Sequence, residues 1–276
     1  MPHGDAGVHV EDRGLQLGDA VYEVCRIENG HLLDEEEHLD RLERSLGEIE
    51  MAMPMRRGAL KLVMAETVRR NHLRDGLLYL QVTRGALKRD HPIPERAPKP
   101  TLIMTARGMD EAALARRHAD GIPVIVCPDQ RWGRCDIKTT QLLANLLAKT
   151  AARRAGAFEA WLIDGDGFVT EGTSTNVWIV DGDGRVITRD LSHAILPGVT
   201  RRVILEAAAE AQIPVVERRF TLAEALSARE AFMSSATGAA IPVTSIDGKK
   251  IGDGKPGPLT RRVAELYARR SQERLS

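Results

Sequence analysis

RCDIKTTQLLANLLAK, Arg134 to Lys149, changes character halfway along its length. It follows an apolar run, IPVIVC (Ile122–Cys127), that reads as a strand. It ends in Leu142, Leu143, Leu146 and Leu147, which recur as one face of an amphipathic helix. Thr139 or Thr140 is placed to cap that helix. Lys138 then stands at a strand-to-helix junction, where α/β folds often carry their chemistry. A lone lysine is most often a solvated surface charge, so its meaning depends on the rest of the chain.

Working outward, the N-terminal side mixes strands and helices. VYEVCRIENGHLL reads as two short strands joined at Asn29-Gly30. Asp34 is a candidate cap for a helix reaching about Glu50, with Leu39, Leu42, Leu46 and Ile49 on one face and Pro54 beyond its end. A second helix is expected near Gly58 to Asn71, and strands at GLLYLQVTRG and TLIMTARG. The charged, Ala-rich stretch after Met109 is the candidate boundary. Residues 1–112 are expected as a small N-terminal α/β domain, 113–120 as a connector, and 121–276 as a larger domain carrying Lys138. There, EAWLID and NVWIV read as strands and GVTRRVILEAAAEA as a helix. REAFMSS is a further strand, IPVTSIDGKKI a hairpin turning at Asp247-Gly248, and LTRRVAELYARR a closing helix. The class is α/β (α+β), mixed in both halves.

Composition excludes several roles. The 276 residues are 43% hydrophobic, and Lys+Arg and Asp+Glu both count 39, so no global field points to nucleic acid. No apolar run approaches the ~20 residues a membrane span needs. MPHGDAGVHVEDRG lacks the apolar core of a secretory signal. The three cysteines, Cys25, Cys127 and Cys135, have no metal-ligand spacing, and a reducing cytoplasm suits them.

Five features could carry chemistry beside Lys138. LPGVTRR (Leu196–Arg202) is a glycine before a helix start, whose free N–H groups can bind an anion; it is also an ordinary cap pattern. FMSSATGAA (Phe232–Ala240) is a small-residue turn able to cup a phosphate, or a plain polar turn. VTEGTSTN (Val169–Asn176) places Glu171 between an apolar strand and a polar loop, where a lone carboxylate is usually solvated. Arg41 in HLDRL lies beside an apolar helix stripe, as a snorkelling arginine would. TRGALKRDHPIPE holds Arg84, Arg89 and His91 in a proline-stiffened loop, suited either to carboxylate capture or to solvation. Together these are the parts of a pyridoxal phosphate site: a lysine for a Schiff base, a carboxylate for the pyridinium, and amides for the phosphate.

From about Asp12 to Tyr267 the chain resembles the D-amino-acid aminotransferases, within the class IV pyridoxal-phosphate-dependent aminotransferases. RGLQLGDAVYEV, EEHLDRL, QVTRGALKRDHPIPE, RWGRCDIKTTQLLANLLAK, VTEGTSTNVW and ILPGVTR carry the resemblance, in the family's order. It implies a two-domain fold with a small N-terminal α/β domain and a larger C-terminal mixed α/β pseudobarrel domain. It implies that Lys138 holds pyridoxal 5'-phosphate and shuttles the proton. Glu171 then partners the ring nitrogen, Leu196 packs on the ring, and Arg41, Val199, Thr200 and the Ser235–Ala236 turn hold the phosphate. Tyr22, Arg89 and His91 match the trio that binds the substrate α-carboxylate, with the 84–95 loop supplied by the partner subunit of a homodimer. Ala236 departs from the pattern, standing where the family often has a phosphate-bonded threonine; Ser235 or Thr237 is the available replacement. The implied substrates are D-alanine, D-glutamate and their 2-oxo acids. Branched-chain aminotransferases and aminodeoxychorismate lyase share the cofactor residues but lack the Arg89-x-His91 pair.

Overall fold

Asn29 and Gly30 adopt φ of 52° and 83°, the left-handed pair a two-residue hairpin requires. In the computed structural model, which describes residues 3–275, α1 (Arg13–Leu17) leads into β1 (Ala20–Glu28), and this turn folds β1 back onto β2 (His31–Leu32). Next come α2 (Glu35–Glu48), α3 (Arg57–Arg70), β3 (Gly76–Thr83) and β4 (Thr101–Gly108). The four strands form an antiparallel sheet in the order β2-β1-β3-β4. Leu39, Leu42 and Leu46 of α2 share one buried cluster with Leu60, Met64 and Val68 of α3 and with Val21, Cys25, Leu78, Leu80 and Val82 of the sheet. Asp34 sits before α2 at φ 51° and makes no side-chain cap bond. Glu35, Glu36 and Glu37 in the first turn complement the helix dipole instead.

The chain divides into two compact units. One runs up to Met109 and includes Ile137–Gln141; the other comprises Asp110–Asp136 and the chain from Leu142 onward. The first unit therefore contains Lys138, which the sequence placed in the larger domain. The physical reason is β1. Tyr22 N–H donates to the Lys138 carbonyl at 2.9 Å, Thr140 N–H donates to the Ala20 carbonyl at 3.2 Å, and Val21 and Thr139 form a β-bridge. Ile137 lies buried in the same cluster as the α2 leucines. The expected connector, 113–120, is helical: α4 (Glu111–Asp120) is capped by Asp110, which accepts the Ala113 N–H at 2.8 Å.

The second unit continues with β5 (Ile122–Pro128), α5 (Leu143–Arg154), β6 (Glu159–Ile163), β7 (Val169–Gly172), β8 (Asn176–Val180) and β9 (Val186–Thr188). Then follow α6 (Val199–Glu210), β10 (Val215–Glu217), α7 (Leu222–Ser227), β11 (Glu230–Ser235), β12 (Gly238–Ile246), β13 (Lys249–Lys250) and α8 (Pro258–Leu275). Its sheet runs β10-β9-β8-β11-β12-β5-β6-β7, with β13 paired to β12. The β9–β10, β5–β12 and β5–β6 pairs are parallel and the others antiparallel. Trp178 and Phe232 stack at 5.3 Å between ring centroids, and Ile204, Ala208 and Val263 from α6 and α8 join them. Neither Thr139 nor Thr140 caps α5, which begins after Leu142 with no side-chain cap bond. Its leucine stripe is not core: Leu143, Leu146 and Leu147 are 71%, 60% and 61% exposed. Helix α7 was open to sequence reading through the Thr221/Glu224 capping box, and both of that box's hydrogen bonds are formed.

Candidate active site

Strand β7 carries Glu171 into the interior of the second unit, where 5% of the residue is exposed. It is not the solvated carboxylate that sequence alone favours. Oε1 accepts a hydrogen bond from Arg131 Nη1. Oε2 accepts from Asn176 Nδ2 at 3.2 Å and from the Leu196 N–H at 3.1 Å. Arg131 is itself gripped: Nε and Nη2 donate to the two oxygens of Asp129 at 2.9 and 2.7 Å, and Nη2 also donates to the Ala194 carbonyl at 3.0 Å. Thr170 Oγ1 donates to Asp129 at 2.7 Å.

This arrangement is unfinished in both charge and hydrogen bonding. Two carboxylates share one guanidinium, so with both ionised the buried cluster would carry one net negative charge. Glu171 accepts three bonds where an ionised carboxylate can accept about four, and the open position is on Oε1. Burial pushes the Glu171 pKa up, and the charge and hydrogen bond of Arg131 and the Leu196 amide pull against it. A cationic N–H donor at that oxygen would restore neutrality. A protonated ring nitrogen fits this need.

The same unit offers an anion site at the start of α6. Gly198 is the N-cap and makes no side-chain cap bond, so no cap side chain covers the amides of Val199 and Thr200. A Cβ at Gly198 would overlap Asn176 Oδ1, so only glycine lets the backbone run this close. Asn176 Nδ2 also donates to the Leu196 carbonyl at 3.0 Å, tying the Glu171 cluster to the approach to α6. Asn176 pairs with Ser234 across β8 and β11, which puts the turn after β11 at the same end of the sheet. In that turn Ser235 Oγ and Thr237 Oγ1 share a hydrogen bond at 2.9 Å, placing a hydroxyl on either side of Ala236, which has none. These residues fit a phosphate.

In the first unit the Lys138 backbone is fixed by Tyr22 and by Ser45, whose Oγ accepts the Lys138 N–H at 3.4 Å. Its ammonium lies 4.3 Å from the centroid of the Tyr22 ring, and Tyr22 stacks on Tyr79. Among the described residues no carboxylate pairs with Nζ, which leaves an amine held over an aromatic face. Arg41 is buried rather than snorkelling. Its Nε and Nη2 donate to Glu23 at 2.8 and 2.7 Å, and His38 Nδ1 lies 2.7 Å from the same carboxylate. Burial alone would raise the Glu23 pKa, but Arg41 and His38 hold it down at about 2.

The structure brings Tyr22 to Lys138 and Leu196 to Glu171. It places Arg89 and His91 on the exposed part of the 84–95 loop, beyond Gly85, with no hydrogen bond or ion pair to Tyr22 among the described residues. Arg84, grouped with them in sequence, is elsewhere: 3% exposed, it donates to Asp19 and to the carbonyls of Ile49 and Glu50. Sequence reasoning missed Asp129, Arg131, Asn176, Glu23 and His38. Only the His38/Arg41 spacing, one helical turn, carried a local signal.

Residues 20–246 match the family described as amino-transferase class IV. The D-alanine aminotransferase of Bacillus licheniformis is 43% identical over 263 residues, 95% of this chain and 91% of that protein. That of Staphylococcus haemolyticus is 37% identical over 280 residues, 100% and 96% of the two chains. Among solved structures, the branched-chain amino acid aminotransferase of Escherichia coli superposes with a TM-score of 0.87 at 27% identity, covering 95% of this chain and 89% of that one. A second branched-chain amino acid aminotransferase, solved with pyridoxamine 5'-phosphate, also gives 0.87 at 27% identity, covering 99% and 92%.

Proposed function

The chain belongs to the class IV aminotransferases, and on that premise we propose that it is a pyridoxal 5'-phosphate-dependent D-amino-acid transaminase. It moves an amino group between a D-amino acid of the D-alanine or D-glutamate class and a 2-oxo acid. One observation carries the reading: 43% identity to a D-alanine aminotransferase along nearly the whole of both chains. The branched-chain enzymes share the fold at 27%, and an L-branched-chain or lyase activity is the alternative.

When bound, pyridoxal phosphate supplies a carbonyl that takes up amines and a protonated ring that draws electrons from the α-carbon. This chain's residues do the rest. Lys138 Nζ would provide the attachment point and is the base available to take the α-proton and return it. Glu171 Oε1 would hold the proton on the ring nitrogen, and Arg131 aims that carboxylate and favours its charged form. Leu196 packs on the ring. The Val199 and Thr200 amides, Arg41, Ser235 and the Ala236 backbone hold the phosphate. Tyr22, Arg89 and His91 bind the substrate carboxylate and so set which hand of substrate reacts. In this proposal the chain works as a homodimer in the cytoplasm, its partner subunit supplying the loop that carries the last two. Support comes from the exposed position of that loop. The three free cysteines suit a reducing compartment.

The test is a coupled assay of D-alanine with 2-oxoglutarate beside L-leucine with 2-oxoglutarate. Turnover of D-alanine that requires the acceptor supports the reading. Turnover of L-leucine alone, or pyruvate release without an acceptor, overturns it.

A further inference from the structure

Between Lys88 and Pro98 the chain makes almost no hydrogen bonds of its own. The His91 N–H bonds to the neighbouring Asp90 side chain, and the Leu87 N–H to Glu11 marks where the regular ties stop. Among the described residues, the hydrogen bonds reaching this stretch from outside all come from one side chain. Arg13 Nη1 donates to the Asp90 carbonyl at 2.7 Å and Nη2 to the His91 carbonyl at 3.4 Å. Those two carbonyls belong to the Arg89–Asp90–His91 tip, the part of the loop assigned above to the substrate carboxylate.

Arg13 is built as an anchor. It is 3% exposed, and its Nε donates to Asp19 at 2.8 Å. Asp19 also accepts from Arg84 Nε at 2.7 Å, and Arg84 in turn grips the Ile49 and Glu50 carbonyls at the end of α2. Gly85 at φ 97° lets the chain leave β3 against the Lys99 carbonyl, where a Cβ would collide. Pro92, Pro94 and Pro98 limit the backbone beyond the tip. The guanidinium fork thus links a rigid buried cluster to an otherwise untethered tip, and it does so through backbone carbonyls. The side chains of Arg89 and His91 are left out of the contact.

We propose that Arg13 is a positioning residue for substrate recognition: through the Asp90 and His91 carbonyls it fixes the loop tip that presents Arg89 and His91 to the substrate carboxylate. The inference rests on the reading that Arg89 and His91 bind that carboxylate. It makes the RG at the head of RGLQLGDAVYEV part of substrate binding, although Arg13 touches no reacting group.

The experiment compares Arg13→Lys and Arg13→Gln with wild type, kinetics on the cofactor-loaded enzyme and deuterium exchange on the cofactor-free protein. Arg13→Lys keeps a buried cation beside Asp19 and so preserves folding, but a single ammonium cannot reach Asp19 and both carbonyls as the fork does. The KM for D-alanine and for 2-oxoglutarate should rise roughly tenfold or more, the equivalent of one lost charge-assisted hydrogen bond. The cofactor absorbance per subunit and kcat should change little. Deuterium exchange of amides 88–98 in the cofactor-free protein should accelerate, with β1 and β3 unchanged. Combining Arg13→Gln with Arg89→Ala should add little to the effect of Arg89→Ala on KM, because both act through one contact. A fall in kcat with KM unchanged, or unaltered exchange at 88–98, would mean that Arg13 serves only the fold and would overturn the proposal. If instead Arg89→Ala alone leaves KM unmoved, the carboxylate reading beneath it fails.

Discussion

Removing the charge from Glu23 tests whether the Arg41 platform is held by an ion pair. Glu23 is 1% exposed and faces both Arg41 and His38. Its ordinary pKa of 4.5 falls to about 2 in the fold, where burial, which alone would raise it, is overcome by Arg41 and His38. A depressed carboxylate pKa stabilises the fold above the unfolded value, and that contribution is lost as pH falls through the folded value. At neutral pH the difference corresponds to ~3 kcal/mol. That matches the roughly 3–5 kcal/mol lost when one partner of a buried ion pair is removed. Glu23→Gln in the cofactor-free protein should therefore lower unfolding free energy by ~3 kcal/mol at pH 7. By pH 3 the gap to wild type should narrow to roughly half of that, as the unfolded wild-type chain takes up its proton. Urea titrations at pH 7, 5, 4 and 3 measure this. Trp132, Trp161 and Trp178 all lie in the second unit, so far-ultraviolet circular dichroism, not tryptophan emission, must report on the first. A gap that stays constant from pH 7 to pH 3 would show that Glu23 acts by packing rather than by charge.

The remaining predictions concern the chemistry. Borohydride treatment of the loaded protein should fix the cofactor to Lys138, and Lys138→Ala should abolish both labelling and transamination; peptide mapping that finds another labelled lysine refutes the assignment. Glu171→Gln should retain cofactor while turnover falls by orders of magnitude, because a neutral amide does not hold a pyridinium proton; near wild-type kcat would exclude Glu171 as the ring partner. Arg89→Ala and Lys138→Ala, each deficient alone, should recover about a quarter of wild-type activity when denatured, mixed in equal amounts and refolded, since a symmetric dimer sharing its loops yields one intact site per mixed dimer. No recovery beside an intact wild-type control would place Arg89 in its own chain's site.

Local rules in the sequence determined most of the elements. Asn29-Gly30 and Asp247-Gly248 set two hairpins because left-handed φ favours those residues, and the apolar spacing of Leu39, Leu42 and Leu46 set α2. Ordered motifs singled out Lys138 and Glu171 as candidates and identified the family. The setting of each group was legible only in three dimensions. Arg131 and Glu171 are separated by 40 positions, and Arg13 and Asp90 by 77, so no periodicity links them; burial and the exclusion of water force the pairing. Lys138 joined the first unit because its peptide completes hydrogen bonds with β1, a contact across more than a hundred residues. The leucines of α5 read as one face of an amphipathic helix, but sequence does not record what covers that face, and among the described residues of this chain Leu143, Leu146 and Leu147 stay exposed. Spacing along a chain encodes which residues share a face; only the tertiary structure decides which charge is desolvated, and beside which partner.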